Sequence, residues 1–347
     1  MELSHLITEL AKPAAYPFPA QTVEVRQTHI SVVFLAGAFV YKVKKPINPG
    51  FLDFTTLEKR EHFCHEEVRL NRRLAPDVYL GVVPVTKTSD GSRFEGEGEA
   101  IEWAVKMRRL PGAATLLEHL RHGEVSAPLI EELARRIAAF HQGLEVNDQI
   151  ASFARFVGVA RNIRSVFDQA EPFVKAETTG TVFDHTRQQM DTALERFRSL
   201  IDSRSARRVP RECHGDLHLD HIYHFPDQPA PSDLVIVDCI EFNERLRFID
   251  PVADTAFTAM DLTYHDRRDL AAVFVETYFR ATGDEEGRVL LPMYTAYRSA
   301  VRGLVESMLA ADQEVPEDKR NAARPKAQRY WQLALTELQP TNNERGA

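Results

Sequence analysis

At Leu110-Pro111-Gly112 the chain stops reading as strands and begins to read as helices. Proline removes a backbone donor and glycine punctuates, so no central strand runs through this tripeptide. Upstream, VEVRQ and SVVFLAGAFVYKVKK alternate β-branched and other residues. They read as two or three antiparallel strands with a turn at Ala36-Gly37. YLGVVPVTK and AIEWAVKM read as two more, joined by the polar loop TSDGSRFEGEGE. Between these groups, Thr55 to Leu74 reads as a helix, with Phe63, Leu70 and Leu74 at helical spacing. Downstream, APLIEELARRIAAFHQGL carries Leu129, Leu133, Ile137 and Phe140 on one expected face, and further helices are expected near 151–175, 183–203 and from 252 onward. The expected fold class is α+β. It divides into a helix and Pro-rich linker over 1–21, a small antiparallel-sheet N-lobe over 22–107, a hinge over 108–112, a helical C-lobe over 113–338 and a tail over 339–347.

At 347 residues the chain has ample length for a buried core in each lobe. Its formal net charge of -8 argues against a nucleic-acid partner, which would leave a basic footprint. The one Arg-rich run, RSARRVPR (Arg204 to Arg211), reads as a solvated loop. Cys64, Cys213 and Cys239 form no CxxC pair and read as small buried residues of a reducing compartment. The first twenty residues lack the basic start and apolar run of a signal peptide, and no window reaches the ~18 apolar residues of a membrane span. The expectation is a cytoplasmic protein with no membrane partner. Oligomeric state is not legible in the sequence.

Chemistry concentrates in HGDLHLDHIYH, His214 to His224, and in VIVDCIEFN after it. Asp216 lies in a polar loop that follows a helix. Asp238 ends the apolar run Leu234-Val235-Ile236-Val237, which reads as a buried strand. A base-like carboxylate followed by a strand-end carboxylate suits phosphoryl transfer, where hard oxygen donors hold Mg²⁺. Four histidines in the first segment also raise a metal site of another kind. His218-Leu219-Asp220-His221 matches half of a zinc-hydrolase motif, but Asp216 stands where that motif needs a histidine.

FVYKVKKP, EEVRLNRRLAP, YLGVVP, HGDLHLDH and DCIEFNERLR together resemble the aminoglycoside phosphotransferase/choline kinase branch of the protein-kinase-like fold. More narrowly they resemble a bacterial subgroup of that branch marked by the HGDLHLxH and DCIEFN strings. The resemblance spans roughly residues 22–310. It implies a bilobal fold and transfer of the γ-phosphoryl group of ATP or GTP, with Mg²⁺ or Mn²⁺, to a hydroxyl of a small polar acceptor: a sugar, amino sugar or amino alcohol. Asp216 becomes the base and His214 buttresses its loop. Asp238 becomes the principal metal ligand. Lys42 reaches the α- and β-phosphates, with Glu67 as its helix partner and Glu66 as the adjacent alternative.

The resemblance also implies that the Met107 to Leu110 hinge offers its backbone to the base. No glycine-rich loop is present, so Thr28, His29 and Ser31 stand in as phosphate-facing donors. His221 occupies the position, five after Asp216, where most relatives carry a metal-binding Asn. Three roles stay open for it: ligand to another metal, phosphate contact, or replacement without metal contact. Asp220 is an alternative carboxylate. Asp254, after the helix start Asp250-Pro251, is expected to stabilise the catalytic loop, and His141 to be structural. Glu241, Asp254 and Asp261 suit a cationic acceptor, structural roles or plain solvation. Two alternatives to a kinase remain: a non-catalytic nucleotide-binding regulatory protein and, remotely, a zinc-dependent hydrolase.

Overall fold

A computed structural model describes residues 2–50, 52–89, 91–174 and 180–339. Residues 340–347, most of the expected tail, lie outside the described residues. In chain order the first half contains α1 (Leu3–Leu10), β1 (Val23–Gln27), β2 (Ser31–Ala36), β3 (Phe39–Lys44), α2 (Leu57–Asn71), β4 (Tyr79–Thr88), β5 (Gly91–Phe94) and β6 (Ala100–Arg108). Helices α3 (Leu116–Arg121), α4 (Ala127–Gly143), α5 (Asp148–Phe153), α6 (Phe156–Val174) and α7 (Gly180–Ala206) follow. Next come β7 (Arg211–Glu212), β8 (Ile222–His224), β9 (Leu234–Ile236), α8 (Glu244–Arg247) and β10 (Phe248–Ile249). The chain then runs through α9 (Pro251–Tyr264), α10 (Arg268–Thr282), α11 (Glu285–Arg288), α12 (Leu291–Ala311) and α13 (Glu317–Leu338).

Two compact units result. One comprises Met1–His119 with Asp220–Asn243, the other Leu120–Leu219 with Glu244–Ala347. The first unit is built on a six-stranded antiparallel sheet in the order β1-β2-β3-β6-β4-β5. Strand alternation divides its side chains between two faces. Val32, Phe34, Tyr41, Val43 and Phe94 pack with Leu6 and Leu10 of α1. The Pro-rich stretch after α1 joins that layer, for Tyr16 is buried with its ring 5.3 Å from that of Phe94. The opposite face of β3 carries Lys42 and Lys44 toward α2.

Strand β5 lies inside the stretch that reads as a plain polar loop. Only four residues long, it buries Ser92 and Phe94 alternately, and Ser92 donates from Oγ to Glu9 of α1 at 2.5 Å. A segment this short shows too little alternation to declare itself. The hairpin of β8 and β9 completes the unit.

The second unit is helical apart from the two-residue pair β7 and β10. Helix α9 is buried almost all round, as suits a central helix. Asp250 caps it by accepting from the Val252 amide at 3.0 Å, and Pro251 occupies the first turn, as the Asp-Pro dipeptide foretells. Along α4 the buried stripe is Ile130, Leu133, Ala134, Ile137, Ala138 and His141. It is rotated by one position from the expected face, so Leu129 and Phe140 lie at its margin. No helix among the described residues is long and apolar enough to cross a membrane.

The Arg-rich run is not wholly solvated. Arg204 is 1% exposed and donates in two pairs, to Asp250 at 2.6 and 2.9 Å and to Asp284 at 2.7 and 2.6 Å. Burial opposes its charge, but those two carboxylates outweigh burial and raise its pKa. Arg204→Met leaves Asp250 buried without its guanidinium. The expected loss is about 3–5 kcal/mol, read as a lower urea midpoint.

Candidate active site

In the first unit, alternation along β3 aims Lys42 and Lys44 at the same residue of α2. Glu67 is fully buried and receives one lysine on each oxygen: Lys42 at 2.9 Å from Oε1 and Lys44 at 2.7 Å from Oε2. Glu66, one residue earlier, pairs with Arg69 on the helix surface instead. Helical geometry separates the two: consecutive residues point about 100° apart, so only one can face the sheet. Lys42 also lies 3.0 Å from Oδ1 of Asp238, and Lys44 also donates to Glu241.

Burial disfavours the charged form of both lysines, but it is outweighed by Asp238, Glu67 and Glu241 at Lys42 and by Glu241 and Glu67 at Lys44, so both lie above the ordinary lysine value. Burial likewise pushes the Glu67 carboxyl up, yet Lys42 and Lys44 together bring it below the ordinary range. At Glu241 burial prevails over Lys44 and its pKa is raised.

Asp238 follows strand β9 in a left-handed conformation, φ +67°. Aspartate tolerates that region better than most residues. The turn is tied at successive amides. Val237 donates to the His221 carbonyl at 2.9 Å, Asp238 to Tyr79 Oη at 3.1 Å, and Cys239 to Asn71 Oδ1 at 2.9 Å. Asn71 in turn donates to the Glu67 carbonyl at 2.9 Å. The Asp238 side chain is 43% exposed, with Oδ2 lying 3.6 Å from His221 Nε2. The exposed carboxylate fits a divalent cation that takes its other ligands from phosphates and water, the usual manner of Mg²⁺. Glu241 is buried against Lys44, so it is neither solvated nor open to an acceptor.

In the second unit, α9 suspends the loop that carries Asp216. Asp254, Thr258 and Asp261 lie at spacings of four and three, one face of the helix. Asp254 accepts from the amides of His214 at 2.9 Å and Gly215 at 2.8 Å. Thr258 donates to the Leu217 carbonyl at 2.8 Å, and Asp261 accepts from the Leu219 amide at 2.9 Å. Behind them, the buried His141 meets Asp254 through Nε2 at 3.1 Å and Tyr278 Oη through Nδ1 at 2.8 Å. Gly215 has φ +89°, a conformation that requires glycine.

His214 is fully buried, and its Nδ1 accepts from the Asp216 amide at 3.2 Å. The Asp216 side chain is 32% exposed, with Oδ2 lying 3.6 Å from His218 Nε2. Burial lowers the His218 pKa, but Asp216 overcomes this and raises it. Asp254 and Asp261 thus face inward and hold backbone; neither is placed to select a cationic acceptor.

At the hinge, Met107 pairs with Val40 and Tyr79 across the sheet. Met107 and Leu110 pack with Val235 and Val237 on the cluster of Cys64, Val68, Val78, Tyr79 and Val105. Ser31 departs from expectation. Its side chain is fully buried at the start of β2, so it does not present a hydroxyl to a phosphate. The Thr28 hydroxyl accepts from the Ser31 amide at 2.9 Å in a turn closed on itself. Sequence reasoning assigned no role to Asn71 and Tyr79, although both sit in recognisable strings, EEVRLNRRLAP and YLGVVP.

No family model matches the chain. Uncharacterized proteins of Mycobacterium tuberculosis and Mycobacterium bovis are each 32% identical to it over 302 residues, taking in 87% of this chain. The match covers 58% of their length, so the chain spans a little over half of these curated relatives. Among solved structures, an amicoumacin kinase in complex with AMP-PNP and Ca²⁺ aligns with a TM-score of 0.55 at 13% identity, over 99% of this chain and 97% of that one. That likeness shows the fold. The fold is α+β and kinase-like, with a small antiparallel-sheet lobe and a helical lobe.

Asp254 yields a pH prediction. Burial raises its pKa, but the His141 hydrogen bond and the nearby His141, His214 and Arg298 bring it down to about 2. A depressed carboxylate pKa stabilises the fold above the unfolded value and ceases to do so as pH falls through the folded one. Between about pH 4 and pH 2 the protein should lose about 2 kcal/mol from this group. Asp254→Asn should flatten that part of the profile, measured as urea midpoints against pH.

Proposed function

We propose that this chain is a small-molecule phosphotransferase of the aminoglycoside phosphotransferase/choline kinase branch. It moves the γ-phosphoryl group of ATP or GTP to a hydroxyl of a polar acceptor. The observation that carries the reading is Lys42, held between the buried Glu67 and the exposed carboxylate of Asp238. A cation on the phosphates beside a metal-binding carboxylate is what phosphoryl transfer asks of a protein, since positioning and charge neutralisation do most of the work. The complex of the fold neighbour with AMP-PNP and Ca²⁺ supports a nucleotide and a divalent ion.

Each residue then takes a role. Lys42 binds the α- and β-phosphates and exchanges its contact with Asp238 for them. Asp238 holds Mg²⁺ or Mn²⁺, which neutralises phosphate charge when bound. Asp216 accepts or orients the acceptor's hydroxyl proton at its exposed carboxylate, and His214 fixes that residue by accepting its amide. His221, 3.6 Å from Asp238, holds the orientation of that carboxylate. The hinge backbone at Met107 to Leu110 receives the base over an apolar floor. Ser31 takes no part.

The regulatory alternative draws on His221 and the missing glycine-rich loop, and the Thr28 to Ser31 turn closed on itself adds to it. The zinc-hydrolase reading is set aside, because it needs strands and helices alternating along the chain and here they segregate.

The test is a metabolite screen for nucleotide-dependent phosphorylation with ATP and GTP, each with Mg²⁺ and Mn²⁺. With an acceptor in hand, Asp216→Ala should lower turnover by about 10²–10⁴-fold while nucleotide binding persists. Turnover unchanged in that variant overturns the assignment of the base. Nucleotide binding without transfer across the whole panel supports the regulatory protein.

A further inference from the structure

Strand β3 aims two lysines at Glu67 where one would serve a phosphate. They are not equivalent. The Lys42 side chain is 15% exposed and reaches Asp238. Lys44 is 1% exposed, lies 5.0 Å from the centroid of the Phe54 ring, and pairs with two buried carboxylates, those of Glu67 and Glu241. A lysine so enclosed cannot meet a nucleotide.

We propose that Lys44 and Glu241 form a positioning pair that fixes the Asp238 turn to β3 and keeps Glu67 compensated while Lys42 changes partners. The inference rests on the phosphotransferase reading for its purpose, though not for its geometry. When phosphate draws on Lys42 and a cation takes Asp238, the contact between those two residues is given up. If Lys42 were the sole partner of Glu67, any shift of that lysine would leave a buried carboxylate uncompensated, which is strongly unfavourable. Lys44 occupies the other oxygen of Glu67, so compensation persists. Its second bond reaches Glu241, three residues beyond Asp238, on a turn whose backbone is already in the left-handed region. Lys44 therefore joins β3, α2 and the metal-binding turn at one buried point. Glu241 and Lys44 act through other groups and are positioning residues.

Single substitutions would each leave a buried charge and are expected to be poorly stable. The informative protein is the neutral double variant Lys44→Met/Glu241→Gln, with both Lys42 and Glu67 intact. Two readouts apply. In nucleotide-free protein, hydrogen exchange of the peptide covering 234–243 should be faster than in the wild type. In the presence of AMP-PNP, Mn²⁺ titrated by electron paramagnetic resonance should bind about 10–100-fold more weakly, the usual result of losing a partner behind a ligand. A folded double variant with unchanged exchange, or with unchanged Mn²⁺ affinity, overturns the proposal. If the wild type itself fails to bind Mn²⁺ with both AMP-PNP and GMP-PNP, the phosphotransferase reading falls. The exchange measurement then still decides whether the pair fixes the turn.

Discussion

Glu67 is a carboxylate with no exposure to water, held charged by two lysines of a neighbouring strand. An uncompensated charge at such depth is not tolerable, so the arrangement constrains everything near it. It fixes which face of β3 looks toward α2. It sets the rotation of α2 about its axis, for Glu67 must point inward. Through Asn71, one helical turn further on, it also reaches the Asp238 turn. The exposed chemistry at Asp238 thus stands on a buried electrostatic foundation.

The second unit solves a similar problem with hydrogen bonds. The loop from His214 to Leu219 has backbone groups that no sheet or helix satisfies. Asp254, Thr258 and Asp261, three polar residues on one face of a buried helix, meet them instead. Burying polar groups on α9 is favourable only because each has a partner. The consequence is a stiff loop on a stiff helix, with Asp216 left half-exposed at its turn. Rigid support of that kind is what the role proposed for Asp216 requires.

Much of this was legible in the residues. The strands around Lys42, the helix carrying Glu67 and the Asp-Pro start of α9 follow from alternation, periodicity and turn chemistry. The loop of Asp216 and the strand end at Asp238 were visible as strings. Other points were not. Glu66 and Glu67 are equivalent to any local rule. Strand β5 is too short to show a pattern, and Arg204 sits in a run that looks solvated. The acidic residues Glu241, Asp254 and Asp261 admitted a role with a cationic acceptor until their partners were known.

Sequence by itself determined the types of the longer elements, the class of fold and the two segments that carry the carboxylates, because periodicity and turn preference are properties of neighbouring residues. Tertiary structure alone decided which charged groups are buried and with whom. Lys42 and Asp238 are separated by 196 positions, and Lys44 and Glu241 by 197. Residues 220–243 pack with the sheet although helices flank them on both sides in the chain. Burial and charge compensation depend on such distant pairs, and no local pattern encodes which of several similar side chains will find its partner.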